Sequence, residues 1–167
     1  MLENRLEQPQ ISANPELATL QERAIEMARY YYKGFGNSLV GIMANGEEYL
    51  SSQDANLLQH SYQLFQKIED FYANIPFNTL NGKEEYYPLF VVNRLLPKFR
   101  QSMDELFIDK RRDSLQNLQT NLRTIVDIGQ LYFNSLMELL KTIRQFPEAR
   151  DFRVAIPDQL KKHVWYF

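Results

Sequence analysis

The chain of 167 residues contains no cysteine, two histidines, six glycines and seven prolines. Without thiols there is no disulfide framework, no cysteine nucleophile, no thiolate zinc site and no iron–sulfur cluster. His60 and His163 leave little room for imidazole chemistry. Carboxylate-bridged metal centres in helical bundles use Glu-x-x-His from each of two helices, whereas Leu57 and Leu160 stand three residues before these histidines. No metal, cofactor or catalytic triad is therefore expected. The scarcity of glycine and proline argues against the many tight turns of a β-sandwich and for long helices. No apolar run approaches the ~18 residues that span a bilayer, and Met1 to Pro9 has no signal-peptide core. A cytoplasmic protein without a membrane partner is the expectation.

What the chain does have is 44% hydrophobic and 13% aromatic residues, enough for one helical-bundle domain over 1–167. Its net charge of -2 conceals a division. Residues 1–90 hold 6 Lys+Arg against 12 Asp+Glu, net -6, and residues 91–167 hold 13 against 9, net +4. Such a division points to a polyanion or a charged neighbour, or to two halves that neutralise each other across a bundle.

Residues 1–13 read as a polar arm. Asn14-Pro15-Glu16 is an N-cap, a proline at the first helical position and an acidic first turn. The helix it starts buries Leu17, Leu20, Ala24, Met27 and Tyr31, spaced three and four apart. The stretch from Lys33 to Met43 either bends that helix or breaks it, and Asn45-Gly46 reads as a stop. Ser51 to Asp54 supplies caps for a helix to about Asn74. Residues 76–87, with Pro76 and Asn81-Gly82, read as an exposed loop. Pro88 opens a helix through Phe107 that Pro97 should kink or split.

The strongest helical pattern runs from Leu115 to Phe146, through Leu118, Leu122, Ile125, Gly129, Tyr132, Leu136, Leu139 and Ile143, with Val126, Phe133 and Leu140 widening the stripe. About 32 residues make a rod of roughly 48 Å, and Gly129 should admit a close neighbour. Residues 147–167 are expected to return from Pro147 and to end in a short helix from Gln159 to Trp165. The fold class is therefore all-α, an antiparallel bundle of four to five helices.

Gly34-Phe35-Gly36 with Gly41 resembles a phosphate-binding loop only superficially, because Leu39 breaks the dinucleotide pattern and no strand precedes it. Adjacent acids such as Glu47-Glu48 and Glu84-Glu85 lack the cleft-spanning separation of a glycosidase pair. The remaining signal is basic. Arg94, Lys98 and Arg100 surround Pro97, Lys110-Arg111-Arg112 precedes the long helix, Arg123, Lys141 and Arg144 follow along it, and Lys161-Lys162 lies near the end. Lys and Arg contact phosphates regardless of sequence, and neighbouring aromatics stack on unpaired bases. Arg29-Tyr30-Tyr31-Tyr32-Lys33 is a second such patch, with at least one tyrosine in the core.

A cysteine-free helical bundle of this size, with an acidic half, a basic half and no catalytic constellation, resembles the small subunit of CRISPR surveillance complexes. The polar start from Met1 to Gln10 and the abrupt end at Phe167 also fit the members of that family that equal the C-terminal domain of the large subunit, made from an internal start. The resemblance implies a non-enzymatic subunit of a ribonucleoprotein complex, stacked with copies of itself along a filament and holding single-stranded DNA or RNA. It would put Lys98, Arg100, Lys110, Arg111, Arg112, Arg123 and Arg144 on the nucleic-acid side. The competing class is a structural or adaptor bundle that binds only protein or itself, which a long heptad stripe and an apolar C-terminus would serve equally well.

Overall fold

The computed structural model describes residues 11–35, 37–158 and 163–166, with side chains described through Val154 apart from Tyr32, Asn37 and Ser38. It is an all-α bundle. The helices are α1 (Pro15–Gly34), α2 (Asn37–Ser52), α3 (Ala55–Ala73), the short α4 (Phe77–Leu80), α5 (Tyr87–Phe107) and α6 (Ser114–Arg144). The strands β1 (Ala155–Asp158) and β2 (His163–Tyr166) pair antiparallel, with Ala155 opposite Tyr166 and Asp158 opposite His163. The chain packs as two compact units, one of Lys33–Leu131 and one of the residues up to Tyr32 with those from Tyr132 onward. The 31-residue α6, about 46 Å long, contributes to both.

In the Lys33–Leu131 unit, α2, α3, α5 and the first part of α6 enclose an aromatic core. Phe65 of α3 stacks on Phe99 of α5 at 5.8 Å, and Phe107 meets Tyr49 at 5.2 Å and Tyr62 at 6.1 Å. α5 and α6 run antiparallel: Asn121 Nδ2 donates to Ser102 Oγ at 2.8 Å, while the earlier Ser114 donates through its Oγ to the later Glu105 Oε2 at 3.0 Å. Three glycines let elements approach. A Cβ on Gly41 would lie 3.1 Å from Leu64 Cδ1, one on Gly46 2.7 Å from Leu106 Cδ2, and one on Gly129 2.8 Å from Phe35 Cβ.

In the other unit, Asn14 caps α1 by accepting from Glu16 N–H at 3.0 Å, as its sequence predicts. Ser12 is tied to Gln21 Oε1 through its backbone N–H at 2.7 Å, so this part of the expected arm is fastened; residues 1–10 lie outside the described residues. Leu17, Ala24 and Met27 are buried with Leu136, Leu140 and Ile143 of α6. Tyr132 donates through its hydroxyl to the Met27 carbonyl at 2.9 Å, and Tyr31 lies parallel to the Tyr132 ring at 6.3 Å.

Several expectations are corrected. Asn45-Gly46 does not stop α2: Gly46 is buried against Leu106, and Asn45 Nδ2 reaches His60 Nδ1 at 3.0 Å and donates to Ser61 Oγ at 3.1 Å. Packing there overrides a local propensity worth about 1 kcal/mol. α5 is not split at Pro97, which is exposed together with Asn93, the residue whose carbonyl loses its helical donor to the proline ring. Residues 76–87 are exposed at most positions, as expected, but they are not a plain loop: they hold α4 and a 3-10 turn at Glu84–Tyr86 and bury Leu80 and Tyr86. The expected final helix fails where it is described, because 163–166 is a strand; 159–162 lie outside the described residues. Val126 is exposed, so the α6 stripe is narrower there.

The glycine contacts predict an order of stabilities. Gly41→Ala meets the flexible end of half-buried Leu64 and gains helix propensity, so the change is neutral or stabilising by up to about 1 kcal/mol. Gly46→Ala presses on the tip of fully buried Leu106 and costs about 1 kcal/mol net. Gly129→Ala strikes the Cβ of Phe35, which moves only with its backbone, and costs most, about 2 kcal/mol or more. Urea midpoints should rank in that order.

The tyrosines give a pH signature. Tyr62 donates to Asp104 Oδ1 at 2.5 Å, and burial followed by this hydrogen bond pushes its pKa above the ordinary value; burial does the same to Tyr72, whose hydroxyl donates to the Gly34 carbonyl at 2.6 Å. In the folded chain both hydroxyls stay protonated at a pH where the unfolded chain ionises, so stability falls as pH rises past about 10. Tyr62→Phe is expected to cost roughly 1–2 kcal/mol at neutral pH and to flatten that alkaline decline, measured by urea unfolding on both sides of the tyrosine range.

Candidate nucleic-acid interface

Six of the seven candidate basic residues fall in the Lys33–Leu131 unit, on α5, the 108–113 junction and the first part of α6. Lys98 is exposed on α5, one turn before Ser102, which donates to its carbonyl at 3.3 Å and accepts from Asn121 of α6. Lys98 therefore lies one turn from the seam where α5 meets α6. Arg123 is exposed on α6, two residues beyond Asn121.

The junction is a tight reversal. Asp109 N–H donates to the Asp104 carbonyl at 3.0 Å and Arg111 N–H to the Glu105 carbonyl at 2.9 Å. Lys110 takes φ 56°, the left-handed conformation that ends many helices and that most side chains avoid. Lys110, Arg111 and Arg112 are all exposed. The two acids at the end of α5 are engaged inward, Asp104 by Tyr62 and Glu105 by Ser114.

The seven cations have different fates. Lys98, Lys110, Arg112 and Arg123 form no ion pair among the described residues. Arg111 pairs with Asp113 at 3.4 Å, both well exposed, a contact of little energetic weight in water. Arg100 reaches both carboxylate oxygens of Glu69 at 3.3 Å. Arg144 belongs to the other unit and is half-buried, with Nε donating to the Phe152 carbonyl at 3.0 Å and Nη2 buried without a partner. Burial and then the charge of Arg153 lower its pKa from the ordinary arginine value. Arg144 is thus directed at the protein itself, and Arg100 is matched by an acid.

No protein-family model, curated protein or solved structure matches the chain. Its own geometry therefore carries the functional reading. Among the described residues no group of His, Asp and Glu is arranged to hold a metal ion, and no helix is long and apolar enough to cross a membrane.

Of the second basic patch, Tyr31 is half-buried between Tyr132 and Phe133, and burial raises its pKa. Tyr30 is also half-buried, with its pKa raised by burial and then by the charge of Glu26. The side chain of Tyr32, like Lys161-Lys162, lies outside the described residues.

Sequence reasoning missed an aromatic patch. Tyr87 and Val91, one turn apart on α5, are 54% and 41% exposed, and Phe90 between them packs edge-on against Phe77 at 4.7 Å. The tyrosine just before Pro88, at the polar start of the helix, was the available signal.

Lys110 also yields a stability test. Lys110→Gly relieves the left-handed conformation while loosening the unfolded chain, for a net gain of about 0.5 kcal/mol. Arg112→Ala, on exposed surface, should change stability by less than about 0.5 kcal/mol. Thermal melts of the two variants separate backbone strain from charge.

Proposed function

We propose that the chain is a non-catalytic binding subunit that holds single-stranded DNA or RNA in a multi-subunit complex, as the resemblance to the small subunits of CRISPR surveillance complexes implies. The observation that supports this is the group Lys98, Lys110, Arg112 and Arg123, exposed and without acidic partners on α5, the junction and α6. Arg111 joins them, since its bond to Asp113 lies in water and yields to a phosphate. Arg100 and Arg144 are left out of the contact set. Nucleic-acid partners, ribonucleoprotein subunits and stacking with further copies all belong to this proposal.

About four phosphate contacts on a single strand give a salt slope near -3 in log affinity against log salt. Fluorescence titration with a labelled oligonucleotide at low salt should show binding with that slope. The combined variant Lys98→Ala, Lys110→Gly, Arg112→Ala, Arg123→Ala should abolish it, while Arg100→Gln should leave it within about twofold. No binding by the chain, alone or with its assembly partners, overturns the proposal. A second reading, an adaptor that binds protein alone, is favoured by exposed Tyr87 and Val91 and by Leu131, 63% exposed on α6. Absence of oligonucleotide binding, together with complex assembly that is lost in Tyr87→Ser, would select it.

A further inference from the structure

The chain contains two Asn-Gly dipeptides, Asn45-Gly46 and Asn81-Gly82, in opposite surroundings. Asn81 and Gly82 form the centre of a type II turn: Asn81 has φ -59° and ψ 133°, Gly82 has φ 86°, and Lys83 N–H donates to the Leu80 carbonyl at 3.1 Å. Both residues are exposed. A Cβ on Gly82 would meet nothing within 4 Å. In such a turn the N–H of the third residue points away from the closing bond, and neither it nor the Asn81 carboxamide has a protein partner among the described residues.

Asn45 is restrained in three ways. Gly46 N–H belongs to the ladder of α2, Gly46 is buried under Leu106, and the Asn45 carboxamide is held by His60 and Ser61. The same dipeptide is thus open at one site and locked at the other.

We propose that Asn81 is a site of spontaneous deamidation, converting to aspartate and isoaspartate, and that α2 protects Asn45 from the same reaction. The Gly82 backbone nitrogen, losing its proton to solvent base, attacks Asn81 Cγ. A nitrogen–carbon bond forms, the bond from Cγ to the side-chain nitrogen breaks, and ammonia leaves with a proton returned from solvent. The cyclic imide then takes up water at either carbonyl and opens to one of the two acids. One water is consumed, one ammonia is released, and nothing is oxidised or reduced. Glycine lacks the side chain that would shield the attacking nitrogen. The attack requires the Asn81 peptide to rotate away from ψ 133°, which opens the Lys83–Leu80 closing bond of an exposed turn with free space beside Gly82.

Conversion adds a negative charge beside Glu84 and Glu85, just before α5 and its exposed Tyr87. The isoaspartate form also inserts a methylene into the main chain of the turn. Both products therefore alter the approach to the aromatic patch of α5.

The test is to hold the full folded chain at mildly alkaline pH for weeks, separate it by ion exchange and map its peptides by mass. The peptide containing Asn81 should gain about one dalton and include an isoaspartate form. Its conversion should be at least about tenfold faster than that of the Asn45 peptide, which waits for α2 to open. In strong urea the two rates should converge. Asn81→Gln should remove the acidic species and leave the helical circular dichroism and urea midpoint unchanged. No conversion at Asn81, or equal conversion at both sites in the folded chain, overturns the proposal.

Discussion

The Lys33–Leu131 unit depends on a close contact between Phe35 and Gly129. Phe35 lies in the interruption between α1 and α2, and its Cβ sits 2.8 Å from where a side chain on Gly129 would begin. α6 can therefore receive the α1–α2 connection only at the one position where it has no side chain. Gly46 lets Leu106 of α5 reach α2 in the same way. These approaches bring the helices together around Phe65, Phe99 and Phe107, which are all fully buried.

The long helices were legible because burial imposes their period. Ile125, Gly129, Tyr132, Leu136, Leu140 and Ile143 are all buried, at the three-and-four spacing that one face of a helix requires. The caps at Asn14 and Asp54 were legible because a short polar side chain there serves a donor that has no helical acceptor. Asn45-Gly46 misled because its turn preference is weaker than the contacts made by Leu106, His60 and Ser61, which lie far along the chain. The helix expected from Gln159 to Trp165 misled in another way: Pro157-Asp158, the pair before it, has the composition of a helix start but is the end of β1, with Pro157 opposite Val164. His-Val-Trp-Tyr, rich in β-branched and aromatic residues, carried the competing strand signal.

The candidate site was legible in composition but not in detail. Sequence shows that the second half is basic; it does not show whether a given guanidinium faces water, an acid or a carbonyl. Arg100 lies 31 residues from Glu69, and Arg144 finds the Phe152 carbonyl only because the chain turns back after Pro147. Neither pairing has a local sequence signature. Tyr87 was missed although its place just before Pro88, at the polar start of α5, is where an aromatic side chain can stay in solvent.

Net charge is therefore a poor guide to what a partner would meet. The exposed cations at 98, 110, 112 and 123 lie near four acids, Asp104, Glu105, Asp109 and Asp113, so a simple count leaves the region nearly balanced. The count treats all charges as equally placed. Asp104 and Glu105 are turned toward Tyr62 and Ser114, and their fields reach a ligand across intervening protein and screening salt. A phosphate approaching from solvent meets exposed Lys110 and Arg112 together with exposed Asp109 and Asp113. At a Debye length of about 8 Å, charges in direct contact dominate and those beyond it contribute little. The reversal that holds Lys110 in a left-handed conformation is closed by the Asp104 and Glu105 carbonyls, whose own side chains are engaged by Tyr62 and Ser114, while Asp109 and Asp113 stay exposed beside the basic run. Backbone geometry and two side-chain hydrogen bonds thus decide which charges of a nearly neutral stretch a ligand meets first.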